Sequence, residues 1–218
     1  MRSHSGATAS TAPMLPFFDP WLSSAISADV MLAARAGAAA LAARQARRLT
    51  ALLAAAARGS ALYRPLLAGR DPARVSLQDL PIQHKADLMR RFDDWVADPA
   101  LRLDDLRRFT ADRARIAEPY RGRYVVWESS GSTAEPGVFV QDPQALAVND
   151  ALEALRRPVL RPWQPMLDPW RLGERIAFVG ATSGHFASTV SIERLRRLNP
   201  FAAARVRSVS ILQPAEVW

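Results

Sequence analysis

The hydrophobic pattern changes period along the chain. From Pro16 to about Leu106 it is helical. Ala, Leu and Arg dominate Ala28–Arg58, a run of strong helix formers. Leu41, Leu49, Leu52 and Leu53 recur near helical spacing and leave the arginines on other faces, which predicts one amphipathic helix stopped by Gly59 and Ser60. Tyr63-Arg64-Pro65 opens a short new segment. Leu80-Pro81 followed by Lys85, Leu88, Met89 and Phe92 predicts a second helix with proline tolerated at its start, and Leu103–Phe109 predicts a third.

Beyond about residue 110 the period shortens. Arg123–Glu128 and Gly137–Gln141 read as strands, and together they predict a hairpin with a long, hydroxyl-rich loop. Asp142 is placed to cap a helix whose first position is Pro143 and whose apolar stripe is Leu146, Ala151, Leu152 and Leu155. A strand–helix–strand unit follows. Arg175–Ala181 is nearly all apolar, the type found in a sheet covered on both faces. Ile192, Leu195 and Leu198 mark a helix ending at Asn199-Pro200, and Val206–Leu212 is a second strand, which predicts a parallel pair. The fold class is α/β: a tail over 1–15, a helical part over 16–110, and a partial α/β part over 111–218.

Composition narrows the chemistry. There is no cysteine, so disulfides, a thiolate nucleophile and Cys-based zinc are excluded, and three scattered histidines make no metal cage. Basic residues number 29 against 21 acidic ones, and all but Lys85 are arginines. A basic nucleic-acid binder is one reading of that bias. The arginines are spread along the chain among acids, however, and no aromatic–basic pattern for DNA or RNA accompanies them. Residues 1–15 lack the apolar centre of a secretory signal, and arginines at 35, 44, 47 and 48 interrupt the Ala-rich run. No membrane partner and a cytoplasmic location are expected.

The informative stretch is Ser129-Ser130-Gly131-Ser132-Thr133-Ala134-Glu135-Pro136-Gly137. Hydroxyls and glycine amides between two strands suit an anion such as phosphate, although Ser, Gly and Pro also mark an ordinary polar turn. It is not a Walker loop, because Val138 stands where lysine is required. Asp93-Asp94 and Asp104-Asp105 are adjacent pairs that suit solvent and not paired acid–base work. Trp163, Trp170 and the prolines at 158, 162, 165 and 169 read as an irregular packing linker.

The residue order of the loop resembles the phosphate-binding loop of the adenylate-forming (AMP-binding, acyl-CoA synthetase) superfamily. The wider phrase Trp127–Asp142, with Leu80-Pro81, Lys85-Ala86-Asp87-Leu88-Met89, Tyr63-Arg64 and Gly184-His185-Phe186-Ala187, is similar to the phenylacetate–CoA ligase-like branch. The resemblance covers about Leu62 to Leu212. It implies an ATP- and Mg²⁺-dependent ligase in which a carboxylate attacks the α-phosphorus of ATP, pyrophosphate leaves, and the acyl-adenylate passes its acyl group to coenzyme A. Ser129, Ser130, Gly131, Ser132, Thr133 and Gly137 would hold the phosphates, and His185 falls beside the acyl pocket.

Two departures qualify the resemblance. Ala134 replaces a glycine of the family loop, and relatives are about twice as long. No counterpart of their adenine-binding segment, ribose-binding aspartate, hinge or catalytic lysine is found here, and Lys85 is set aside as a substitute because it lies in the helical part. The expectation is an incomplete adenylate-forming N-terminal domain with no catalytic residue of its own, inactive unless a complementing polypeptide supplies the rest. A non-catalytic nucleotide- or phosphate-binding relic is the alternative.

Overall fold

The Ala-rich front folds as two helices, not one. In the computed structural model, which describes residues 19–129, 136–156, 175–182, 184–198 and 203–211, α1 spans Pro20–Ala34 and α2 spans Ala38–Gly59. The break falls at Gly37, which is extended at the α2 N-cap; glycine is a poor helix-interior residue and tolerates this end. Asp19 starts α1 by accepting the Trp21 and Leu22 N–H groups, with Pro20 in the first turn. Once the chain has turned, Arg44 and Arg48 of α2 reach back to Asp29 of α1, Arg44 through both guanidinium nitrogens. Of the expected leucine stripe, Leu53 is buried and Leu49 packs beside it, whereas Leu41 is exposed and Leu52 is 65% exposed. The stripe is half as wide as the spacing implied.

The second predicted helix is also divided. After α3 (Arg64–Leu67), α4 covers Lys85–Arg90 and α5 covers Phe92–Trp95, broken at Arg91; the helix begins after Pro81 and not at it. α6 runs over Leu103–Ala111. Asp93 does more than face water. Its carboxylate accepts the Leu103 N–H at 2.9 Å and pairs with Arg102 at 3.0 Å, so it supplies the cap that the α6 start otherwise lacks.

A tight turn aims the hairpin. Arg121 and Gly122 both take positive φ, and Tyr120 and Tyr124 exchange backbone hydrogen bonds across them. β1 (Val125–Glu128) then pairs antiparallel with β2 (Val138–Gln141), Glu128 opposite Val138. Side chains alternate across this ribbon. Val126, Val138 and Val140 face a core of Met89, Phe92, Leu103, Leu106 and Phe109, while Val125 and Trp127 face Leu146 and Val190. The hairpin is therefore a filled middle layer between the α4–α6 layer and the helices α7 (Pro143–Arg156) and α8 (Ala187–Leu198). Asp142 caps α7 through the Ala145 N–H as expected. Leu152 and Leu155 do not join its buried stripe; among α7 residues Leu146, Ala147 and Ala151 do, and α1 packs along α7.

The parallel pair forms. β3 (Ile176–Gly180) and β4 (Val206–Ser210) align in register from Ile176–Val206 to Gly180–Ser210. It is a second sheet, separate from the hairpin. Nor is β3 covered on both faces: its residues alternate, and Val179 is 63% exposed. Among the described residues no helix is long and apolar enough to cross a membrane. Residues 1–15, the Trp163–Trp170 linker, Asn199-Pro200 and Leu212 lie outside the described residues.

Candidate functional site

Of the predicted loop, Ser129 and Gly137 are described; Ser130, Gly131, Ser132, Thr133, Ala134 and Glu135 lie outside the described residues. The two ends close on each other. The Ser129 N–H donates to the Gly137 carbonyl at 2.9 Å, and the Gly137 N–H donates to Ser129 Oγ at 2.9 Å. This pair extends the β1–β2 ladder one step by using a side chain. Ser129 Oγ keeps its own hydrogen as a donor, but the Gly137 amide is already engaged in the neck and is not a free donor for an anion.

Three elements converge on that neck. From below, the Val138 N–H donates to Met89 Sδ at 3.3 Å, which fixes α4 against the first residue of β2. A Cβ at Gly137 would stand 3.2 Å from Lys85 Cδ and 3.0 Å from Phe139 Cε2, so the bare glycine leaves room for both side chains. Lys85 itself is exposed, and its ammonium has no hydrogen bond or ion pair among the described residues. On the other face, Trp127 and Phe139 stack as a cross-strand pair, with centroids 4.3 Å apart and planes inclined 14°.

The third element is the segment after β3. Glu128 forms a parallel bridge with Phe186, and its N–H donates to the His185 carbonyl at 2.7 Å. The two stretches singled out from sequence, the Ser129 loop and Gly184–Ala187, thus meet at the end of β1. The His185 side chain does not reach into open space. It is 1% exposed, its ring lies 5.6 Å from that of Phe109, and neither nitrogen has a hydrogen-bond partner among the described residues.

Sequence reasoning missed Glu128 and Thr110. Thr110 of α6 donates its hydroxyl to Glu128 Oε1 at 2.6 Å, one residue before the loop. An acid ending a strand immediately before a hydroxyl-rich loop was the available signal. Among the described residues no cluster of three or more His, Asp or Glu side chains could hold a metal ion. Glu128 is the carboxylate next to the neck. Two clefts of similar size lie beside these elements: one of about 530 Å³ bounded by Met89, Arg91, Asp93, Arg102 and Arg107, and one of about 520 Å³ between α7 and α8, lined by Asp150, Glu153, Phe178, Arg194 and Leu198. Comparison with protein-family models, with curated proteins and with solved structures finds no match for this chain.

Proposed function

We propose that the chain supplies the polyphosphate-binding part of an ATP-dependent, AMP-forming carboxylic acid–CoA ligase similar to the phenylacetate–CoA ligase-like branch. One observation supports this best. The neck of the Ser129–Gly137 loop is pinned from both sides, by Met89 of α4 and by the His185 backbone, where an ordinary polar turn would need no such anchorage. The reaction implied by the resemblance is attack of a substrate carboxylate on the α-phosphorus of ATP with pyrophosphate leaving.

The chain's own contribution is positional. Ser130, Ser132 and Thr133 follow the neck in the sequence and supply three hydroxyls, and the Ser129 hydroxyl retains a hydrogen to donate. Hydroxyl donors close to leaving phosphates stabilise the charge that develops on them. No residue of the chain is assigned to proton transfer or covalent catalysis.

Calorimetric titration with magnesium pyrophosphate tests the reading. Ser132→Ala is expected to weaken binding by about 1 kcal/mol, several-fold in affinity, through loss of a hydrogen bond to a charged oxygen. Ala134→Gly is expected to strengthen it by a similar amount if the family glycine serves a positive φ. No binding at millimolar ligand would reduce the loop to a polar turn. Exchange of labelled pyrophosphate into ATP by the chain alone would show instead that it is catalytically complete.

A further inference from the structure

The Ala-rich front of the chain is bound into the fold on one side only. We propose that the outer face of α1 and α2 is a docking surface for an anionic lipid bilayer. Its exposed apolar side chains dip below the headgroups, and its arginines pair with the lipid phosphates. The inference is independent of the phosphate-loop reading above.

Both helices carry large apolar side chains on faces that nothing covers. On α1, Trp21, Ala25, Ala28 and Leu32 recur at i, i+4, i+7 and i+11, and all four are exposed, Trp21 by 85% and Leu32 by 71%. The same helix packs along α7 and buries Val30. On α2, Leu53 with Leu49, Ala56 and Ala57 ties the C-terminal half to Leu67 and Val75, whereas Ala38–Ala43 and Ala46–Arg48 are exposed. Leu41, Arg48 and Leu52 share one face of α2 outside that contact, and all three are exposed.

Charge selects the partner. From Val30 to Arg70 there is no acidic residue, against seven arginines. Asp29 is the one acid of α1, and Arg44 and Arg48 already engage it. Arg35, Arg47 and Arg58 have no ion pair among the described residues. A second copy would bring the same arginines and be repelled. The phosphate backbone of a nucleic acid would engage the arginines and leave Trp21, Leu32 and Leu52 in water. An anionic bilayer uses both kinds of side chain: leucine and tryptophan enter the headgroup boundary, and guanidinium groups reach up to the phosphates. The arginines that keep this run from spanning a bilayer suit it to lying on one.

The test is flotation of the full 218-residue chain with vesicles of phosphatidylcholine, alone or mixed with phosphatidylglycerol. The mixed vesicles are expected to bind at least about tenfold more tightly than phosphatidylcholine alone, with a steep loss as salt is raised. Arg47→Gln with Arg58→Gln removes two charges that pair with no acid among the described residues, and Trp21→Gln with Leu32→Gln removes two side chains already in water. Each pair of substitutions is expected to weaken binding to the mixed vesicles about tenfold and to leave the unfolding midpoint unchanged. Arg47→Lys with Arg58→Lys keeps the charge and is expected to stay within about threefold of wild type.

No flotation with the mixed vesicles, or equal flotation with both kinds, overturns the proposal. If the arginine-to-glutamine pair weakens binding and the Trp21–Leu32 pair does not, the chain adsorbs by charge alone and the seating of the apolar face is overturned. A lowered unfolding midpoint of the Trp21–Leu32 variant would mean that this face is covered in solution, and overturns it as well. Titration with duplex DNA is the remaining arm. Tighter binding of DNA than of the mixed vesicles, insensitive to the Trp21–Leu32 pair, would give the face to nucleic acid and overturn the lipid assignment.

Discussion

Two sheets of equal strand number sit in opposite environments. The antiparallel hairpin is packed on both faces, with Val126 and Val138 against the α4–α6 core and Val125 against Leu146 and Val190. The parallel pair is packed against α8 on one side, while Val179 and, just past β4, Ile211 stand 63% and 64% exposed. This inverts the usual rule, since parallel strands are normally the doubly covered ones and antiparallel ribbons tolerate water on a face. The difference teaches where rigidity is available. A loop hung on the hairpin inherits a neck fixed by two layers, and the candidate site is on that side.

The largest expected effect lies in the layer below the hairpin. Leu106 is 0% exposed, in the middle of the cluster joining α6 to Val126 and Val138. Leu106→Ala is expected to cost about 3 kcal/mol, from lost transfer energy plus an unfilled cavity. Denaturant unfolding measures this. A cost under about 1 kcal/mol would mean that the hairpin is not supported by α6 and would erase the contrast between the two sheets.

A smaller effect sharpens the same contrast through pH. Burial, and then the hydrogen bond to Asp98 at 2.5 Å, push the Tyr124 phenol from 10.0 up to about 12. In return, accepting from Tyr124 holds the Asp98 carboxyl below its usual value of 3.8. The tyrosine contribution is fully present below its unfolded value of 10.0 and is lost as pH rises toward about 12. The Asp98 contribution is present above 3.8 and is lost as pH falls through its lowered folded value. Tyr124→Phe is expected to cost about 1–2 kcal/mol at neutral pH and to flatten the stability profile at both ends. An unchanged alkaline limb, measured by thermal unfolding across the pH range, would show that this bond does not brace the turn leading into β1.

Much of the architecture was legible because each element carries its own signal. Period-two alternation gave the hairpin, Asp142-Pro143 gave the start of α7, and the apolar runs gave a parallel pair that does form. What was not legible depends on neighbours far along the chain. Nothing local in Leu41 or Leu52 says that no element packs on them, and the exposure of Val179 depends on the layer that covers it, not on its own side chain. Ala117 takes φ 60°, a conformation that alanine does not announce. In the candidate site, the loop could be singled out by its hydroxyls and glycines. Its anchors could not, because Met89 and Lys85 lie about fifty residues upstream on a helix whose face is defined only once β2 is in place.

The smallest expected effect falls on the parallel pair. Val179 points away from α8, on the face opposite Phe178, and nothing described packs over it. If that face is open, Val179→Lys removes only a side chain already in water, and its cost is expected to stay within about 0.5 kcal/mol, the range of ordinary surface changes. The same substitution places a charge on a strand that, among the described residues, has a free outer edge, so concentration-dependent light scattering should fall, since lysine there discourages edge-to-edge pairing. The chain is then assayed by denaturant unfolding beside Leu106→Ala. Similar losses from both substitutions would mean that the Val179 face is as well covered in solution as the hairpin core, because a buried lysine costs several kcal/mol where an exposed one costs almost nothing. In that case the two sheets would be equals, and the greater rigidity assigned to the hairpin side, on which the anchored loop depends, would lose its basis.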